Sequence, residues 1–395
     1  MKKNKRKICL AGKNEIAVYG LTLLTKFVAE EDICVVCNET DDGLDTWQPS
    51  LLKAAIEKKI AIKTLEECFG IDRLIFLSLE FDKLISPQKF ANADLYNIHF
   101  SYLPAYKGMY TSTLPLLNGE KESGVTLHHI DAGIDTGNII AQIKFPIEET
   151  DTARSLYEKY IGKSKELLKQ NISDLLSGSV RSHPQSACGS SYFSKKELDY
   201  KNLNVDLCRT AEQIKNQIRG FTFPEYQVPI ILGRYVSSAK ISAAKSSARP
   251  GTVVDLNDFD LTVATIDYDL VIFSDVHYEF LDAAAQNNTR KALACISSGA
   301  DINHRNGKGW TPLIVASFNG AIDVVNLLIS KGVDINKTNY KCTTPLMYAM
   351  THYENSGQRV VFDVLLDSGA HVSSRDFRGL SIKDYAVERA VSGLF

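Results

Sequence analysis

The sequence predicts an α/β fold built on a doubly wound, mostly parallel sheet, followed by a small α+β segment and a C-terminal repeat region. Three observations lead to this prediction. Apolar runs of four to six residues alternate with helical segments through the first half of the chain, as in parallel strands that are covered on both faces. Short alternating strands follow one helix in the middle segment, and the last part of the chain repeats itself at a fixed spacing.

The first half of the chain is predicted to hold a parallel sheet with helical connections. Its strands are expected at residues 7–11, 33–37, 60–63, 74–79 and 95–100, and its long helices at 14–30 and 151–177. The turn after the first strand begins Ala11-Gly12-Lys13 and lacks the GxGxxG spacing that brings backbone close to a pyrophosphate, so a bound NAD is disfavoured;. The chain also lacks a GxxxxGK[ST] loop, which excludes the usual nucleotide hydrolases;.

The middle segment is too small to be more than a supporting domain. Its helix is expected at 206–219 and its strands at 252–256, 261–266 and 270–273;. A polar, Ser-rich stretch around Pro184 to Ser190 has the composition of a linker;. We therefore predict domains at residues 1–180, 190–275 and 277–395, which agrees with the usual size of domains.

The composition excludes several classes of protein. The 45 Lys and Arg residues nearly balance the 47 Asp and Glu residues, and the net charge of −2 disfavours a partner such as nucleic acid or an anionic membrane;. No segment approaches the roughly 20 apolar residues that span a bilayer, and eight scattered cysteines give no disulfide framework;. We expect a cytoplasmic protein.

Cys34 and Cys37 form a CxxC motif within a predicted strand, where the two side chains point to opposite faces;. Buried structural thiols are therefore favoured over a metal or redox site.

The C-terminal part of the chain contains a repeat of 33 residues. Thr311-Pro312-Leu313 recurs as Thr344-Pro345-Leu346, and the run 299–303 recurs at 332–336 with the same offset. The next return, at Gly369, comes 37 residues later, which predicts a four-residue insertion near 351–358. Thr-Pro is a good helix start, since proline fixes φ in the first turn. The pattern resembles ankyrin repeats, which implies an all-α region of about three repeats that bury their apolar faces against one another.

Three polar residues in the first half suit acyl transfer to an amine. Asn97 and His99 end a predicted parallel strand, lie two residues apart and therefore project from the same face;. Ligands of such sheets bind at the carboxyl ends of the strands. Asp135 lies in a glycine-flanked loop farther along. An amide donor, an imidazole that titrates near neutral pH and a carboxylate together could stabilise an oxyanion and move a proton.

The same residues belong to a motif that resembles a known family. Asn97-x-His99 is followed by Ser-x-Leu-Pro-x-x-x-Gly at 101–108 and by Asp-Thr-Gly at 135–137. This order resembles the 10-formyltetrahydrofolate-dependent formyltransferases, over roughly residues 7–180. The resemblance implies a formyltransferase-like Rossmann-type fold, N10-formyltetrahydrofolate as co-substrate, no metal, and a catalytic trio at the positions of Asn97, His99 and Asp135.

The resemblance also implies a role for each residue. His99 would be the base that accepts the amine proton, Asn97 would donate to the oxyanion, and Asp135 would orient the imidazole and support its protonation. Other residues are expected to contact the pterin: Leu77, Leu79, Phe81 and Asp131. For the three apolar ones, ordinary strand packing is an equal alternative. One of His128 and His129 could face the site, but core or surface roles are favoured for both.

The acceptor is expected to be a nucleotide sugar. Methionyl-tRNA formyltransferases carry basic residues in the loop where this chain has Ala105-Tyr106-Lys107. The middle segment and the ankyrin tail resemble enzymes that act on dTDP-linked 3-amino-3,6-dideoxyhexoses for surface polysaccharide (O-antigen), and these imply a homodimer. We place Arg219, Phe223 and Tyr226 near the nucleotide, with packing as the alternative.

Other functions remain open at this point. The acceptor could be a 4-amino sugar nucleotide or methionyl-tRNA, the protein could hydrolyse formyl-folate, or it could be a non-catalytic ankyrin scaffold. Trp310 precedes the first Thr-Pro at a position that is usually exposed in ankyrin repeats;. The ankyrin region is therefore expected to bind a protein or, through Trp310, a second nucleotide sugar.

Overall fold

The computed structural model describes residues 6–200, 203–389 and 391. The chain divides into two compact units, Met1–Asn204 with Glu212–Phe223 and Val205–Ala211 with Pro224–Phe395. The predicted division at 1–180, 190–275 and 277–395 stays a prediction, and its outermost residues lie outside the described ranges. Within those ranges no helix combines the length and the apolar character needed to cross a bilayer.

The first unit is built on a seven-stranded sheet. Its strands and those of a small ribbon are β1 (Ile8–Gly12), β2 (Ile33–Cys37), β3 (Ala61–Ile62), β4 (Leu74–Leu79), β5 (Ala93–His99), β6 (Lys107–Gly108), β7 (Glu122–His129), β8 (Ile139–Pro146) and β9 (Tyr192–Phe193). The large sheet has the order β3-β2-β1-β4-β5-β7-β8, and β6 pairs with β9. The strands from β3 to β5 are parallel, whereas β7 and β8 join antiparallel. The predicted mostly parallel sheet is thus confirmed.

Helices cover both faces of this sheet. The helices of the first unit are α1 (Asn14–Leu24), α2 (Leu51–Glu57), α3 (Leu65–Phe69), α4 (Leu114–Leu117), α5 (Ala153–Ser177) and α6 (Ala211–Phe221). Alternate residues of β1 enter two separate cores: Leu10 packs with α1, α2 and α5, and Cys9 packs with α3. Strands buried on both faces explain why the sequence shows continuous apolar runs.

The boundaries of the two long helices follow from local chemistry. Thr152 and Ser155 form a capping box at the start of α5, and Gly178 ends it with a left-handed φ of 73°;. The predicted helix 151–177 therefore agrees closely with α5. By contrast, α1 ends at Leu24, six residues before its predicted end, and a 3₁₀ turn at Glu30–Asp32 leads into β2.

The second unit contains a five-stranded antiparallel sheet and the repeats. Its strands are β10 (Ile230–Ile231), β11 (Arg234–Ile241), β12 (Val253–Leu256), β13 (Asp260–Val263) and β14 (Leu270–Ser274), in the order β10-β11-β14-β13-β12. Its helices are α7 (Val276–Ala285), α8 (Thr289–Ser297), α9 (Pro312–Asn319), α10 (Ile322–Ser330), α11 (Pro345–Ser356), α12 (Val360–Asp367) and α13 (Ile382–Glu388). Their apolar faces form one continuous core.

The repeat explains the lengths of the equivalent helices. Thr311 and Thr344 cap α9 and α11, each accepting a hydrogen bond from the backbone three residues on;. Helix α9 has 8 residues and α11 has 12. The four-residue insertion predicted near 351–358 thus lengthens α11.

Candidate active site

Asn97 and His99 lie at the carboxyl end of β5, between β4 and β7. Asn97 pairs across the sheet with Ser78 and His128, and His99 pairs with Thr126. Because residues two apart on a strand share a face, the amide and the imidazole project on the same side. Asn97 and His99 therefore lie at the end of a strand, as the sequence predicted.

The imidazole of His99 is buried between two oxygen acceptors. Its Nε2 lies 2.8 Å from the carbonyl oxygen of Tyr106, and its Nδ1 lies 3.4 Å from a carboxylate oxygen of Asp135. A neutral His99 that donates to Tyr106 through Nε2 leaves Nδ1 unprotonated. Nδ1 is therefore the atom that can accept a proton, and the resulting positive charge faces the carboxylate.

Asp135 lies in the loop between β7 and β8 with a left-handed φ of 55°. Such backbone in a residue other than glycine is uncommon and concentrates at functional sites. Burial opposes ionisation of the carboxyl group, but the electrostatic interactions with the imidazoles of His99 and His128 and the hydrogen bond from the Gly108 amide outweigh it. The pKa of Asp135 is consequently held well below its usual range. The Gly108 nitrogen donates to the carboxylate at 2.9 Å.

His128 joins this group, which corrects the expectation that it has only a core or surface role. Its Nδ1 lies 2.7 Å from the carbonyl oxygen of His129, so that Nε2 is free of a proton and accepts from Asn97 Nδ2 at 3.1 Å;. The same Nδ2 lies 3.4 Å from Asp135. The alternation of the two histidines along β7 was the available signal, since one of them had to share a face with Asn97.

The segment 182–193 packs against the loop that carries Tyr106, where the sequence predicted a linker. Its last residues form β9 beside β6, and the Ser191 hydroxyl accepts a hydrogen bond from the Tyr106 nitrogen at 2.8 Å. Gln185 donates to the carbonyl oxygens of Asp135 and Gly137, at 2.8 Å in each case. Polar composition alone cannot distinguish such a strap from a free linker, because its hydrogen bonds are long-range.

A cavity of about 420 Å³ lies beside the loop that carries Asp135. It is lined by Lys107, Ile134, Thr136, Ser190, Ser191 and Tyr192. Ile134 and Thr136 flank Asp135 in the chain. The volume of the cavity lies in the range of about 300–1,000 Å³ that is typical of ligand sites. The cavity could thus hold a ligand beside the Asp135 loop.

The residues predicted to contact the pterin are spread over different environments. Leu77 and Leu79 are 2% and 0% exposed, in the core beneath α1, so packing accounts for both. Phe81 is partly exposed and packs on the opposite face, with its ring 6.4 Å from that of Phe76. Asp131 is exposed and accepts hydrogen bonds from Gly133 and Thr136, which shape the Asp135 loop. Contact of these four with a pterin remains a prediction.

Of the residues predicted near the nucleotide, Phe223 lies in an aromatic group. Its ring is 5.5 Å from that of Trp47 and 5.7 Å from that of Tyr157. The Arg154 guanidinium lies 4.8 Å from the centre of the Trp47 ring. Three neighbours of Phe223, but not Phe223 itself, help to line a second cavity of about 360 Å³, whose lining residues are Glu15, Trp47, Gln48, Arg154, Tyr157, Glu158, Ile161, Gly162 and Lys165. Sequence reasoning missed Trp47 and Arg154, which are distant in the chain from Phe223.

The other two predicted nucleotide residues have different surroundings. Arg219 is buried and donates to the Asn216 side chain at 2.8 Å and to the Glu148 carbonyl oxygen at 3.0 Å. These hydrogen bonds fix the Arg219 guanidinium inside the protein, as in a residue with a structural role. Tyr226 belongs to the second unit and is 63% exposed. A role for either residue at a nucleotide stays a prediction.

Trp310 is not the exposed aromatic that the sequence suggested. Its half-buried ring lies 5.6 Å from that of Phe318 and 4.9 Å from that of Tyr348. Phe318 and Tyr348 lie on α9 and α11, so the indole has a packing role between adjacent repeats. A second nucleotide site at Trp310 remains a prediction.

Family models match most of the described chain. The formyl transferase model matches residues 73–172, the formyl transferase C-terminal domain matches 197–279, and a model of three ankyrin repeats matches 281–376. The methionyl-tRNA formyltransferase of Staphylococcus aureus strain MW2 is 25% identical over 281 residues, which cover 65% of this chain and 88% of that protein.

Two solved structures resemble the chain more closely. WlaRD, described as a sugar 3N-formyl transferase in the presence of dTDP and 5-N-formyl-THF, is 41% identical, covers 69% of this chain and 98% of its own, and has a TM-score of 0.64. An N-formyltransferase from Helicobacter canadensis, in complex with folinic acid and dTDP-3-aminofucose, is 39% identical, covers 68% and 100%, and has a TM-score of 0.64. The resemblance inferred from the Asn97-to-Gly137 motif is thereby confirmed, and this enzyme belongs to the sugar N-formyltransferase family, with ankyrin repeats in its C-terminal part.

Proposed function

We propose that the protein transfers the formyl group of N10-formyltetrahydrofolate to the amine of a dTDP-linked 3-amino-3,6-dideoxyhexose. The observation that carries the proposal is the convergence of Asn97, His99 and Asp135 at one strand end, beside a cavity of ligand size. The two related structures, described with dTDP compounds and formyl-folates, support the choice of substrates. The formylated sugar would serve surface polysaccharide (O-antigen) synthesis.

The geometry suggests how the residues act. The amine nitrogen attacks the formyl carbon, and a tetrahedral intermediate with a negatively charged oxygen forms. His99 Nδ1 accepts the proton that the nitrogen loses, and Asp135 stabilises the imidazolium that results. The intermediate then collapses to the formamide, and N10 of the folate leaves with the proton that the His99 imidazolium returns.

Asn97 is proposed to donate to the oxyanion. Both hydrogens of its amide are engaged, one with His128 at 3.1 Å and one with Asp135 at 3.4 Å. The second contact is long for a hydrogen bond, so an oxyanion can replace it at little cost. His128 then holds the amide in place while its other hydrogen points to the reacting oxygen.

The second cavity offers suitable chemistry for the nucleotide. Aromatic rings stack on bases, and guanidinium groups bind phosphate oxygens in pairs. Trp47 and Tyr157 supply the rings, with Phe223 packed against both, and Arg154 supplies the charge. This composition favours a nucleotide sugar over methionyl-tRNA, and the net charge of −2 points the same way;.

A comparison of acceptors tests the proposal. The purified protein is incubated with N10-formyltetrahydrofolate and, separately, with dTDP-linked 3-amino and 4-amino sugars, methionyl-tRNA, or no acceptor. Fastest formamide formation on a 3-amino sugar is the expected result. Faster formylation of the 4-amino sugar or of methionyl-tRNA would refute the proposed acceptor. Equal release of tetrahydrofolate without any acceptor would identify a hydrolase, and no turnover at all would identify a scaffold.

A further inference from the structure

Three buried cysteine side chains converge beneath the central sheet, away from the active site. Cys9 of β1 and Cys34 of β2 are direct partners in the parallel register. Cys68 of α3 reaches the same point from the helix that covers this face, with its sulfur 3.6 Å from that of Cys9. All three sulfur atoms lie within 4.8 Å of one another, and the side chains are 0%, 5% and 0% exposed in chain order.

This cluster is distinct from the CxxC in the sequence. Cys37, the other member of that motif, packs on the opposite face of the sheet, with the core that contains α1. The partners of Cys34 come instead from an adjacent strand and from a helix. Sequence spacing does not show contacts across strands, so these two partners of Cys34 could not be predicted from the CxxC motif.

The spacing of the sulfurs fits one shared ion. Three sulfurs at about 2.3 Å from an ion that lies in their plane are roughly 4 Å apart. The Cys9–Cys68 sulfur distance of 3.6 Å and the upper limit of 4.8 Å for all three pairs are compatible with that value. Among the residues that the structure describes, no fourth His, Cys, Asp or Glu side chain joins the group. Structural zinc takes four ligands in a tetrahedron, so three thiols suit a soft ion of lower coordination better.

The thiols of the cluster interact with one another and with two nearby lysines. Hydrogen bonds from the Cys68 and Cys9 thiols, aided by the positive charges of Lys63 and Lys7, lower the pKa of Cys34. Burial raises the pKa of Cys9. Binding of an ion to this cluster would displace the protons of its thiols.

Access to the cluster is through short elements. Helix α3 spans five residues and β3 spans two, and both β3 residues are exposed at the edge of the sheet. Elements of this length with few buried contacts open most readily. Local opening of α3 and β3 would admit a small ion to the cluster while the central strands stay paired.

We propose that Cys9, Cys34 and Cys68 form a three-sulfur site for a soft monovalent metal ion, with Cu(I) as the ion of this class to test. Binding forms three copper–sulfur bonds and releases the protons of those cysteines that are still thiols. No change of oxidation state is involved. The bound ion would join β1, β2 and α3 and thereby stabilise this side of the catalytic unit.

The test uses the full chain with its exposed thiols removed, because Cys188, Cys208 and Cys342 would also bind Cu(I). The variant Cys188→Ser/Cys208→Ser/Cys342→Ser is titrated without oxygen against the Cu(I) complex of bicinchoninate. We expect the protein to withdraw one Cu(I) per chain and to melt at a higher temperature. Failure to withdraw copper, or withdrawal of zinc in preference to copper when both are supplied, would overturn the proposal.

Further substitutions in that background locate the site. Cys9→Ser or Cys68→Ser should abolish the tight one-to-one binding, whereas Cys37→Ser should leave it unchanged. The proposal would be overturned if Cys37→Ser lost copper binding while Cys9→Ser and Cys68→Ser retained it. Because core substitutions can impair folding, alkylation of the unsubstituted cluster provides a second readout. Copper should protect Cys9, Cys34 and Cys68 together during opening of the structure, and protection of other cysteines instead would contradict the assignment.

Discussion

The Nδ1 atom of His99 lies 3.4 Å from a carboxylate oxygen of Asp135, and this pair is the centre of the proposed active site. The two residues come from different parts of the chain, β5 and the loop after β7. The carboxylate is held in place by the Gly108 amide, so it can orient the imidazole without moving;.

Replacement of His99 by asparagine should lower kcat by about 10² to 10⁴, because the reaction loses its general base. Steady-state kinetics with N10-formyltetrahydrofolate and the dTDP-amino sugar measure the loss. The circular dichroism spectrum should remain that of the wild type. A kcat unchanged by His99→Asn would remove this residue from the mechanism.

Replacement of Asn97 by alanine should lower kcat by about 10²- to 10³-fold, the usual effect of losing one oxyanion donor. Asn97→Asp is the matched variant, because it keeps the size of the side chain but removes the donor. Both variants should therefore be slow while KM for the folate changes little. If Asn97→Asp were as fast as the wild type, the oxyanion would have to be stabilised elsewhere.

Glu80, which follows β4, predicts a pH dependence of stability. Burial raises the pKa of this carboxyl group to about 7, despite hydrogen bonds from the Tyr157 hydroxyl at 2.9 and 3.0 Å. The unfolded value is about 4.3, so between these two pH values the folded state holds a proton that the unfolded state has lost. The free energy of unfolding should therefore fall as the pH rises from about 4.3 to about 7 and then level off.

The variant Glu80→Gln isolates this effect. Urea unfolding at pH 5, 6, 7 and 8 should show the variant gaining stability relative to the wild type up to about pH 7. Glu57→Gln, at an exposed position of α2, serves as the control and should show no such trend. A constant difference between wild type and Glu80→Gln across this range would show that Glu80 does not titrate there.

Two glycines at the same position of the ankyrin repeat should respond differently to alanine. Gly309 and Gly379 have nearly equal left-handed φ values, 78° and 77°. A Cβ at Gly309 would lie 2.6 Å from the backbone nitrogen of Tyr340, whereas at Gly379 it would meet nothing within 4 Å. Both substitutions cost backbone strain of about 1 kcal/mol, but only Gly309→Ala adds a clash. Thermal unfolding should show the larger loss for Gly309→Ala, and equal losses would contradict the packing of this turn.

The sequence allowed the architecture to be predicted where local chemistry determines it. Strands buried on both faces produce the apolar runs of β1, β2 and β4, and β2 and β4 have the predicted limits. The repeat spacing predicted the insertion, which lengthens α11. The end of α1 was placed too late, since nothing between Leu24 and the 3₁₀ turn at Glu30–Asp32 marks the stop as clearly as Gly178 does for α5.

The candidate site was predictable only as far as its motif extends. Asn97, His99 and Asp135 were identified because their order in the chain is distinctive. His128, Gln185 and the thiol cluster were missed because their partners are brought together by strand register and by packing between distant segments. Contacts of this kind have no local signature, and the same holds for the Trp47 and Arg154 group beside Phe223.

The most direct test of the catalytic proposal is the rate of formamide formation by Asp135→Asn at saturating substrates. The amide keeps the shape of the side chain but removes the charge opposite Nδ1 of His99, and a comparable change beside a catalytic histidine costs about 10⁴ in kcat. The account predicts a loss of this order with the affinity for formyl-folate retained. A rate close to that of the wild type would contradict it.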